Sequence, residues 1–128
     1  MQATVFGGSG FLGSHVCDLL SEQGYKVVIF DKKKSKWMKK NQKMLVGDIN
    51  NQKDVKKGIL GSSIVYNFAG LADIDACKKS PKDTIIQNIL GNANILEQSV
   101  KQNVKRYVFA SSMYVYSREG SFYRCSKK

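Results

Sequence analysis

A glycine-rich turn between a strand and a helix constrains the fold of this chain more than any other feature of its sequence. An apolar run at residues 3–6 leads into Gly7, Gly10 and Gly13, and a run with helical apolar spacing follows at residues 14–20. Glycines at this spacing let backbone N–H groups at the start of a helix approach a pyrophosphate. The segment therefore predicts a strand, a tight turn and a helix that faces a nucleotide. The alternative is a turn that only packs the helix on the strand.

A second predicted strand ends in an acidic residue. Residues 27–30 are apolar and rich in β-branched side chains, and Asp31 follows them, eighteen residues after Gly13. In a dinucleotide-binding βαβ unit, an acid about 20 residues beyond the glycine turn accepts hydrogen bonds from ribose hydroxyls. We therefore expect Asp31 to bind the ribose of a dinucleotide.

Length and residue content limit the class of protein. A chain of 128 residues predicts one domain, residues 1–128. No apolar run approaches the roughly eighteen residues that cross a bilayer, and the N-terminus starts as a strand, so the expected location is the cytoplasm. Cys17, Cys77 and Cys125 lack metal-ligand spacing, and His15 is the only histidine. We expect free, buried or half-buried thiols and no metal site.

The formal net charge of +11 raises the question of an anionic partner. Seven lysines lie within residues 32–43, and Trp37 and Met38 lie among them. An aromatic side chain within a lysine cluster can form a groove for nucleic acid. The alternative, which the sequence favours, is a solvated connection whose Trp37 and Met38 fold back onto the core, so that nucleic acid is not an expected partner. A basic surface beside the glycine turn also suits an anionic cofactor.

Apolar runs alternate with helical patterns along the rest of the chain. Further strands are predicted at residues 43–46, 63–68 and 106–110, and helices at residues 52–60 and 81–103. Continuously apolar strands between helices are typical of a parallel sheet covered on both faces. Right-handed crossovers then predict an α/β fold, a doubly wound parallel sheet of about five strands in the order 3-2-1-4-5.

Small or polar residues follow the predicted strands. Doubly wound sheets bind ligands at the carboxyl ends of their strands, where the strand order reverses. The features that converge on this edge are the glycine turn, Asp31, Asp48, Ala69, Gly70 and Ser112. We expect one binding crevice there.

Tyr123 and Lys127 are four residues apart, a spacing that places both side chains on one face of a helix. An ammonium beside a phenol stabilises the phenolate and suits it to general acid-base catalysis. Ser112, at the end of the fifth strand, could donate a hydrogen bond to the same substrate oxygen. Together they would take a proton from a sugar or alcohol hydroxyl while hydride leaves the adjacent carbon for a nicotinamide. The alternative is a tyrosine at a chance spacing that packs in the core or at its rim.

Together these motifs resemble the extended short-chain dehydrogenase/reductase superfamily, in its branch of NAD-dependent sugar-nucleotide epimerases and dehydratases, which have a Rossmann-like fold. The resemblance covers the whole chain and rests on seven ordered motifs. They are FGGSGFLG, the acid Asp31, the segment Gly47-Asp48-Ile49, the stretch Asn67-Phe68-Ala69-Gly70, Asn88 with residues 91–97, FASSMYVYS with Ser112, and YRCSK.

The resemblance implies roles for particular residues. Ser112, Tyr123 and Lys127 would form the catalytic set, in which Tyr123 is the acid-base and Lys127 also holds the nicotinamide ribose. The implied cofactor-binding residues are Gly7, Gly10, Phe11, Leu12, Gly13, Asp31, Asp48, Ile49, Phe68, Ala69, Gly70 and Asn88, together with Tyr123 and Lys127.

The implied cofactor is NAD. Asp31 favours NAD over NADP because a carboxylate accepts ribose hydroxyls and repels a 2′-phosphate. Lys32 and Lys33 lie beside it and keep NADP open as an alternative. For Asn88, the alternative to cofactor binding is a contribution to the fold alone.

The chain departs from the family pattern in several places. Phe6 stands where threonine usually precedes the first glycine, and Ser117 replaces a glycine. Six residues separate Tyr116 from Tyr123, where the family has a longer loop that contacts substrate. The chain also ends one residue after Lys127, before the further strands and the C-terminal substrate domain of the family.

These departures lead to an expected function. The chain is expected to be the NAD-binding portion of a nucleotide-sugar epimerase or dehydratase, inactive alone and without the family's usual dimer interface. A nucleotide sugar is the expected substrate only if the missing half is supplied, for example by a separate chain, and no membrane partner is expected. The alternative is a small nucleotide-binding or regulatory module whose basic face binds a partner or nucleic acid.

Overall fold

Five parallel strands form a single sheet in the computed structural model, which describes residues 1–128. The strands are β1 (Gln2–Phe6), β2 (Lys26–Asp31), β3 (Gln42–Val46), β4 (Ile64–Asn67) and β5 (Arg106–Phe109). Their order, β3-β2-β1-β4-β5, confirms the prediction. Parallel pairing places the carboxyl end of β1 between those of its neighbours, because Phe6 pairs with Phe30 on one side and with Asn67 on the other.

Helices connect these strands. They are α1 (Phe11–Glu22), α2 (Gln52–Ile59), α3 (Ile74–Lys79), α4 (Pro81–Thr84), α5 (Gly91–Lys101) and α6 (Ser121–Lys127), with a π-helical segment at Ile85–Leu90 and a 3₁₀ turn at Met113–Tyr116. The predicted start of α2 at Gln52 is confirmed, and its N-cap is Asn51, whose side chain accepts the N–H groups of Lys53 and Asp54.

The predicted helix at residues 81–103 is not regular along its length. α4 passes into the π-helical segment, α5 continues from it, and the helix ends at Lys101. A π-helical turn holds an extra residue and so changes which side chains face the sheet. Asn88 is buried in this segment, whereas the apolar side chains of Ile85 and Ile89 are 51% and 47% exposed.

Successive side chains of β1 pack into two separate core layers. Ala3 and Val5 lie against α1, and Phe6 lies in the opposite layer against α2 and α5. Thr4, which is fully buried, donates from Oγ1 to the carbonyl of Gly58 in α2 at 2.6 Å. The first layer consists of Ala3, Val5, Cys17, Leu20, Val27 and Ile29, and the second of Phe6, Phe30, Ile49, Val55, Ile59, Val65 and Ile95.

The connection between β2 and β3 does not pack on the core, contrary to the sequence-based interpretation. Trp37 is 67% exposed and Met38 is 49% exposed. Gln42 is buried nearby instead, and its amide donates to Asp18 at 3.0 Å and to Ser21 at 3.1 Å, both on α1. The contact of this connection with α1 is thus made by a polar side chain, and the two apolar side chains lie in solvent.

Gly58 of α2 provides a test of the packing in the second core layer. A Cβ at this position would lie 2.7 Å from Cδ2 of the Phe30 ring. Alanine gains about 1 kcal/mol over glycine in helix propensity, but overpacking a close-packed core destabilises it by roughly 1–3 kcal/mol. We expect Gly58→Ala to lower the free energy of unfolding, as measured by urea denaturation.

Lys57→Ala, at an exposed position of the same helix, is the matched control, and its effect should stay within about 0.5 kcal/mol. Gly58→Ala should also destabilise less in a Phe30→Leu background, because the ring that the new methyl group meets is gone. A Gly58→Ala protein more stable than the wild type would contradict this description of the packing.

Candidate functional site

The turn between β1 and α1 leaves no space for side chains at its first and last glycines. Gly7 has a φ of +75°, and a Cβ on it would lie 2.7 Å from backbone atoms of Phe68 and Ala69. A Cβ on Gly13 would overlap the carbonyl oxygen of Gly7. The start of α1 therefore packs directly on the end of β1, and the turn packs directly on the loop after β4.

The first turn of α1 presents backbone donors that no side chain satisfies. Gly10 is the N-cap, without a side-chain cap, and the first turn carries no acidic residue. The N–H groups of Phe11, Leu12 and Gly13 precede the first intrahelical bond, which runs from Ser14 to Gly10 at 2.9 Å. A helix end of this kind attracts anions, because free N–H groups and the helix dipole act together.

A cavity of about 460 Å³ opens at this edge of the sheet. One side is lined by strand ends and turns, Gly7, Gly10, Phe30, Asp31, Lys32, Gly47 and Ile49. The other side is lined by the loop after β4 and the helix beyond it, Phe68, Ala69, Gly70, Leu71, Asp83 and Gln87. The structure thus brings seven of the sequence-predicted cofactor residues together, Gly7, Gly10, Asp31, Ile49, Phe68, Ala69 and Gly70.

Sequence reasoning missed two polar residues of this cavity. Asp83 and Gln87 lie on the far wall, at the start of the helix that begins with Pro81. Asp83 and Gln87 are four residues apart, a spacing that places both side chains on one face of a helix. This spacing is the sequence signal that could have identified them. Phe11 and Leu12, by contrast, were predicted to bind the cofactor, and their side chains are 79% and 61% exposed outside the cavity.

The Asp31 carboxylate is oriented by two backbone donors. Its Oδ2 accepts the N–H of Ser9 at 3.1 Å, and its Oδ1 accepts the N–H of Lys33 at 3.2 Å. Each carboxylate oxygen has a second lone pair. The carboxylate is therefore fixed beside the glycine turn and can still accept bonds from hydroxyl groups in the cavity.

Lys32 joins the two walls of the cavity. Its Nζ lies 3.5 Å from a carboxylate oxygen of Asp48 and donates to the Gln87 side chain at 3.2 Å. The lysine and aspartate side chains are 49% and 46% exposed, so the ion pair contributes little stability and Lys32 can move when a ligand enters. Asp48 itself lies next to the cavity rather than in its lining, and its Oδ1 accepts the N–H of Asn50 at 2.9 Å.

A partly buried polar network supports the loop after β4. The Tyr107 hydroxyl donates to Oδ1 of Asn92 at 2.6 Å and accepts from the Asn67 amide at 3.1 Å. Asn67 also donates to Asn92 at 2.9 Å, and its carbonyl oxygen accepts the N–H of Ala69 at 3.0 Å. Burial raises the pKa of Tyr107 to about 12, so its hydroxyl keeps its proton. The network holds Ala69 in place, and the sequence analysis assigned no role to Tyr107.

Asn88 connects the same loop to α6. The side chain is 2% exposed, its Oδ1 accepts the N–H of Leu71 at 2.7 Å, and its Nδ2 donates to the Leu71 carbonyl at 3.0 Å. Nδ2 also donates to the Ser126 hydroxyl at 2.9 Å. The side chain lies outside the cavity lining, and its amide atoms are engaged by the protein itself. The predicted alternative, a contribution to the fold, agrees with this arrangement.

α6 brings Tyr123 and Lys127 together. Nζ of Lys127 lies 5.8 Å from the centre of the Tyr123 ring and 4.9 Å from that of Phe109, and it donates to the Ala110 carbonyl at 3.1 Å. Lys127 is 7% exposed. Burial lowers the pKa of its ammonium group, and the nearby Cys77 thiol opposes this shift.

Ser112 lies on the neighbouring loop, at the start of the 3₁₀ turn. Its Oγ accepts the N–H of Tyr114 at 3.3 Å, which leaves the hydroxyl hydrogen free to donate. Ser112 has no hydrogen bond to Tyr123 or Lys127, and none of the three lines the 460 Å³ cavity. The Tyr114 ring meets the Tyr123 ring edge to face, with 6.3 Å between ring centres.

The three cysteines are free thiols, and the expectation that all of them are buried or half-buried is wrong for Cys125. Cys17 and Cys77 are buried and Cys125 is exposed. Burial raises the pKa of Cys17 to about 12. No three His, Cys, Asp or Glu side chains are grouped so that they could hold a metal ion, and no helix combines the length and apolarity needed to cross a membrane.

Known proteins resemble this chain in sequence and in structure. A bifunctional UDP-glucose 4-epimerase and UDP-xylose 4-epimerase of Pisum sativum is 30% identical over 89% of this chain and 37% of its own length. The crystal structure of a Thermus thermophilus UDP-glucose 4-epimerase in complex with NAD superimposes with a TM-score of 0.89 at 25% identity, over 99% of this chain and 47% of that one. The crystal structure of the Thermotoga maritima UDP-glucose 4-epimerase with UDP-glucose superimposes with a TM-score of 0.91 at 26% identity, over 99% of this chain and 48% of that one.

The chain thus spans about two fifths of the length of the pea enzyme and about half of the two solved structures. The model of the family described as "NAD dependent epimerase/dehydratase family" matches residues 3–125. This match runs from β1 to α6 and confirms the resemblance drawn from the sequence motifs. The protein therefore belongs to the NAD-dependent epimerase/dehydratase family.

Proposed function

We propose that this chain binds NAD(H) in the 460 Å³ cavity and supplies the cofactor-binding part of a nucleotide-sugar epimerase or dehydratase. The observation that carries the proposal is the uncapped N-terminus of α1, which adjoins the cavity next to the fixed carboxylate of Asp31. Free backbone donors and a carboxylate are the two groups that a dinucleotide requires for its pyrophosphate and its ribose hydroxyls. The similar Thermus thermophilus epimerase, whose structure is a complex with NAD, supports the same assignment.

The residues fit a dinucleotide. Gly7 and Gly13 have no room for a Cβ, so the donors of α1 are reached without side chains in between. In this proposal the N–H groups of Phe11, Leu12 and Gly13 hold the pyrophosphate, which explains why the exposed side chains of Phe11 and Leu12 need no contact of their own. Asp31 accepts the adenine-side ribose hydroxyls and repels a 2′-phosphate, which favours NAD over NADP.

Residues in and beside the cavity take the remaining parts of the cofactor. Ile49, which lines the cavity, and Asp48, which lies next to it, are assigned to the adenine. Phe68, Ala69 and Gly70 line the opposite wall and are assigned to the backbone contacts behind the cofactor. Asn88 is assigned an indirect role, because its side chain holds Leu71 and Ser126.

The chemistry is assigned to the loop after β5 and to α6. Tyr123 takes the proton of a substrate hydroxyl, and the buried ammonium of Lys127 stabilises the negative charge that develops on the phenol oxygen when Tyr123 is deprotonated. Ser112 donates its free hydroxyl hydrogen to the reacting oxygen. A bound NAD would supply the hydride acceptor for the carbon that carries this oxygen, by which the alcohol would become a carbonyl.

The substrate class is part of the proposal. The similar enzymes from Pisum sativum and Thermotoga maritima are named for UDP-sugars, and a nucleotide sugar is the substrate we propose for the complete catalytic unit. Met113 and Tyr116, on the loop beside Ser112, are 82% and 94% exposed, which supports a site that needs further protein to enclose a substrate. We propose that residues 1–128 bind the cofactor and do not turn over a nucleotide sugar alone.

Asp31→Asn tests the proposed ribose contact. The charge is lost while the shape is kept, and hydrogen bonds to a charged group are worth about 1.5–3 kcal/mol, so NAD binding should weaken by about ten- to a hundredfold. Isothermal titration calorimetry with NAD and NADP measures this change. The preference for NAD over NADP should shrink as well, because the repulsion of the 2′-phosphate is removed.

Glu97→Gln is the matched control for Asp31→Asn. Glu97 pairs with Lys101 on the surface of α5 and does not line the cavity, so NAD affinity should be unchanged. Equal NAD affinity in wild type and Asp31→Asn would rule out the assigned role of Asp31.

Lys127→Met tests the buried ammonium group. Because the folded-state pKa of Lys127 is lowered, its protonated form is penalised on folding, and the penalty disappears as pH rises toward the unfolded value of about 10.4. The free energy of unfolding of the wild type, relative to that of Lys127→Met, should therefore increase as pH rises toward about 10.4. Urea denaturation at a series of pH values measures the difference. A difference that stays constant or falls with pH would show that Lys127 is not buried as described.

A further inference from the structure

The basic segment, residues 32–43, runs from the end of β2 into the start of β3, and Lys32 is its only residue in the lining of the cofactor cavity. We propose that the segment is a binding surface for single-stranded nucleic acid. This surface borders the proposed NAD site, because Gly10 and Asp31 line both the cofactor cavity and a second cavity. The proposal rests on unpaired lysines, an exposed tryptophan and this second cavity.

Five lysines of the segment have no acidic partner, and three of these line the second cavity. All seven of its lysines are exposed, but Lys32 pairs with Asp48, and Lys39 pairs with Asp18 at 3.1 Å. Lys33, Lys34 and Lys36 form no ion pair and line a cavity of about 280 Å³. Their charge is therefore available to an external anion.

Trp37 lines the same cavity and is 67% exposed. Tryptophan is largely buried on average in folded proteins, and the indole of this one does not complete the core. Nucleic-acid bases stack on exposed aromatic rings while lysines contact the phosphates that link them. A tryptophan and three unpaired lysines around one cavity provide both contacts.

The segment is held in position at both ends. At the first end, the Ser9 hydroxyl donates to the Lys33 carbonyl at 2.7 Å. At the other end, the N–H of Lys39 donates to the Gln42 side chain at 2.8 Å, and Gln42 is bound to α1 through Asp18. The surface is thus present before a ligand arrives, which reduces the entropy lost on binding.

The charge of the cavity remains positive when its acidic member is included. Asp31 also lines this cavity, and its carboxylate oxygens accept N–H groups of Ser9 and Lys33. Three ammonium groups thus face one carboxylate. An anionic membrane is a poorer match, because the segment is irregular and carries only Trp37 and Met38 as large apolar side chains, without an amphipathic helix.

Trp37 is the only tryptophan, so its fluorescence reports directly on the proposed surface. We expect titration with an oligothymidylate at low salt to quench this fluorescence. Three lysines on a single strand predict that the logarithm of the affinity falls with that of the salt concentration with a slope of about −2.

A charge-matched pair of variants separates this site from general attraction to a basic protein. Replacing Lys33, Lys34 and Lys36 by Gln should weaken oligonucleotide binding by about tenfold or more at low salt. Replacing Lys53, Lys56 and Lys57 of α2 by Gln removes the same charge from another exposed surface and should change binding much less. Equal losses in the two triple variants would overturn the proposal, as would the absence of any quenching in the wild type.

Two further measurements identify the ligand class. The first is a titration with phosphatidylglycerol vesicles. If the vesicles shift the Trp37 emission and the oligonucleotide does not, the segment binds membranes and the proposal is overturned. In fluorescence anisotropy with a labelled oligonucleotide, Trp37→Phe should bind better than Trp37→Ser, and equal binding would contradict base stacking. Calorimetry of the wild type with NAD tests the cofactor site separately, so failure of this proposal is distinguishable from failure of the NAD assignment.

Discussion

The close backbone contact at the glycine turn is the constraint on which the rest of the structure depends. Gly7 packs on the backbone of Phe68 and Ala69, and the Gly7 carbonyl fills the space that a side chain on Gly13 would need. These contacts place the start of α1 over the carboxyl ends of β1 and β4 at once. The free donors of α1, the carboxylate of Asp31 and the loop after β4 therefore surround one cavity, and a side chain at Gly7 or Gly13 would separate them.

Buried amides extend this arrangement from the turn to the far end of the sheet. The Asn67 side chain accepts the N–H of Ala69. The Asn88 side chain accepts the N–H of Leu71 and donates to the hydroxyl of Ser126 in α6. An unpaired buried amide is costly, so these bonds tie the loop after β4 to the strand beneath it and to the helix of Tyr123 and Lys127. The cofactor wall and the proposed catalytic helix are thus positioned by the same residues.

Much of the fold could be predicted from the sequence, because five apolar strands with intervening helices permit few topologies. The position of the cavity could also be predicted, because the glycine spacing and Asp31 depend on local chain geometry. The π-helical segment could not be predicted, because an extra residue in a turn leaves the apolar spacing ambiguous. The family resemblance assigned Asn88 to the cofactor, with a contribution to the fold as the alternative, and its side chain bonds to Leu71 and Ser126. The exposure of Trp37 was also missed, because tryptophan is largely buried on average and no local feature of the sequence marks this one as exposed.

The most direct test of this account is a ¹⁵N–¹H chemical-shift titration of the protein with NAD. The largest shifts should occur at the amides of Gly10, Phe11, Leu12 and Gly13, because these groups lie at the uncapped start of α1. Smaller shifts should follow at Asp31 and in the loop after β4. Saturating NAD that leaves the amides of the glycine turn unshifted would contradict the central claim that this turn is a dinucleotide site.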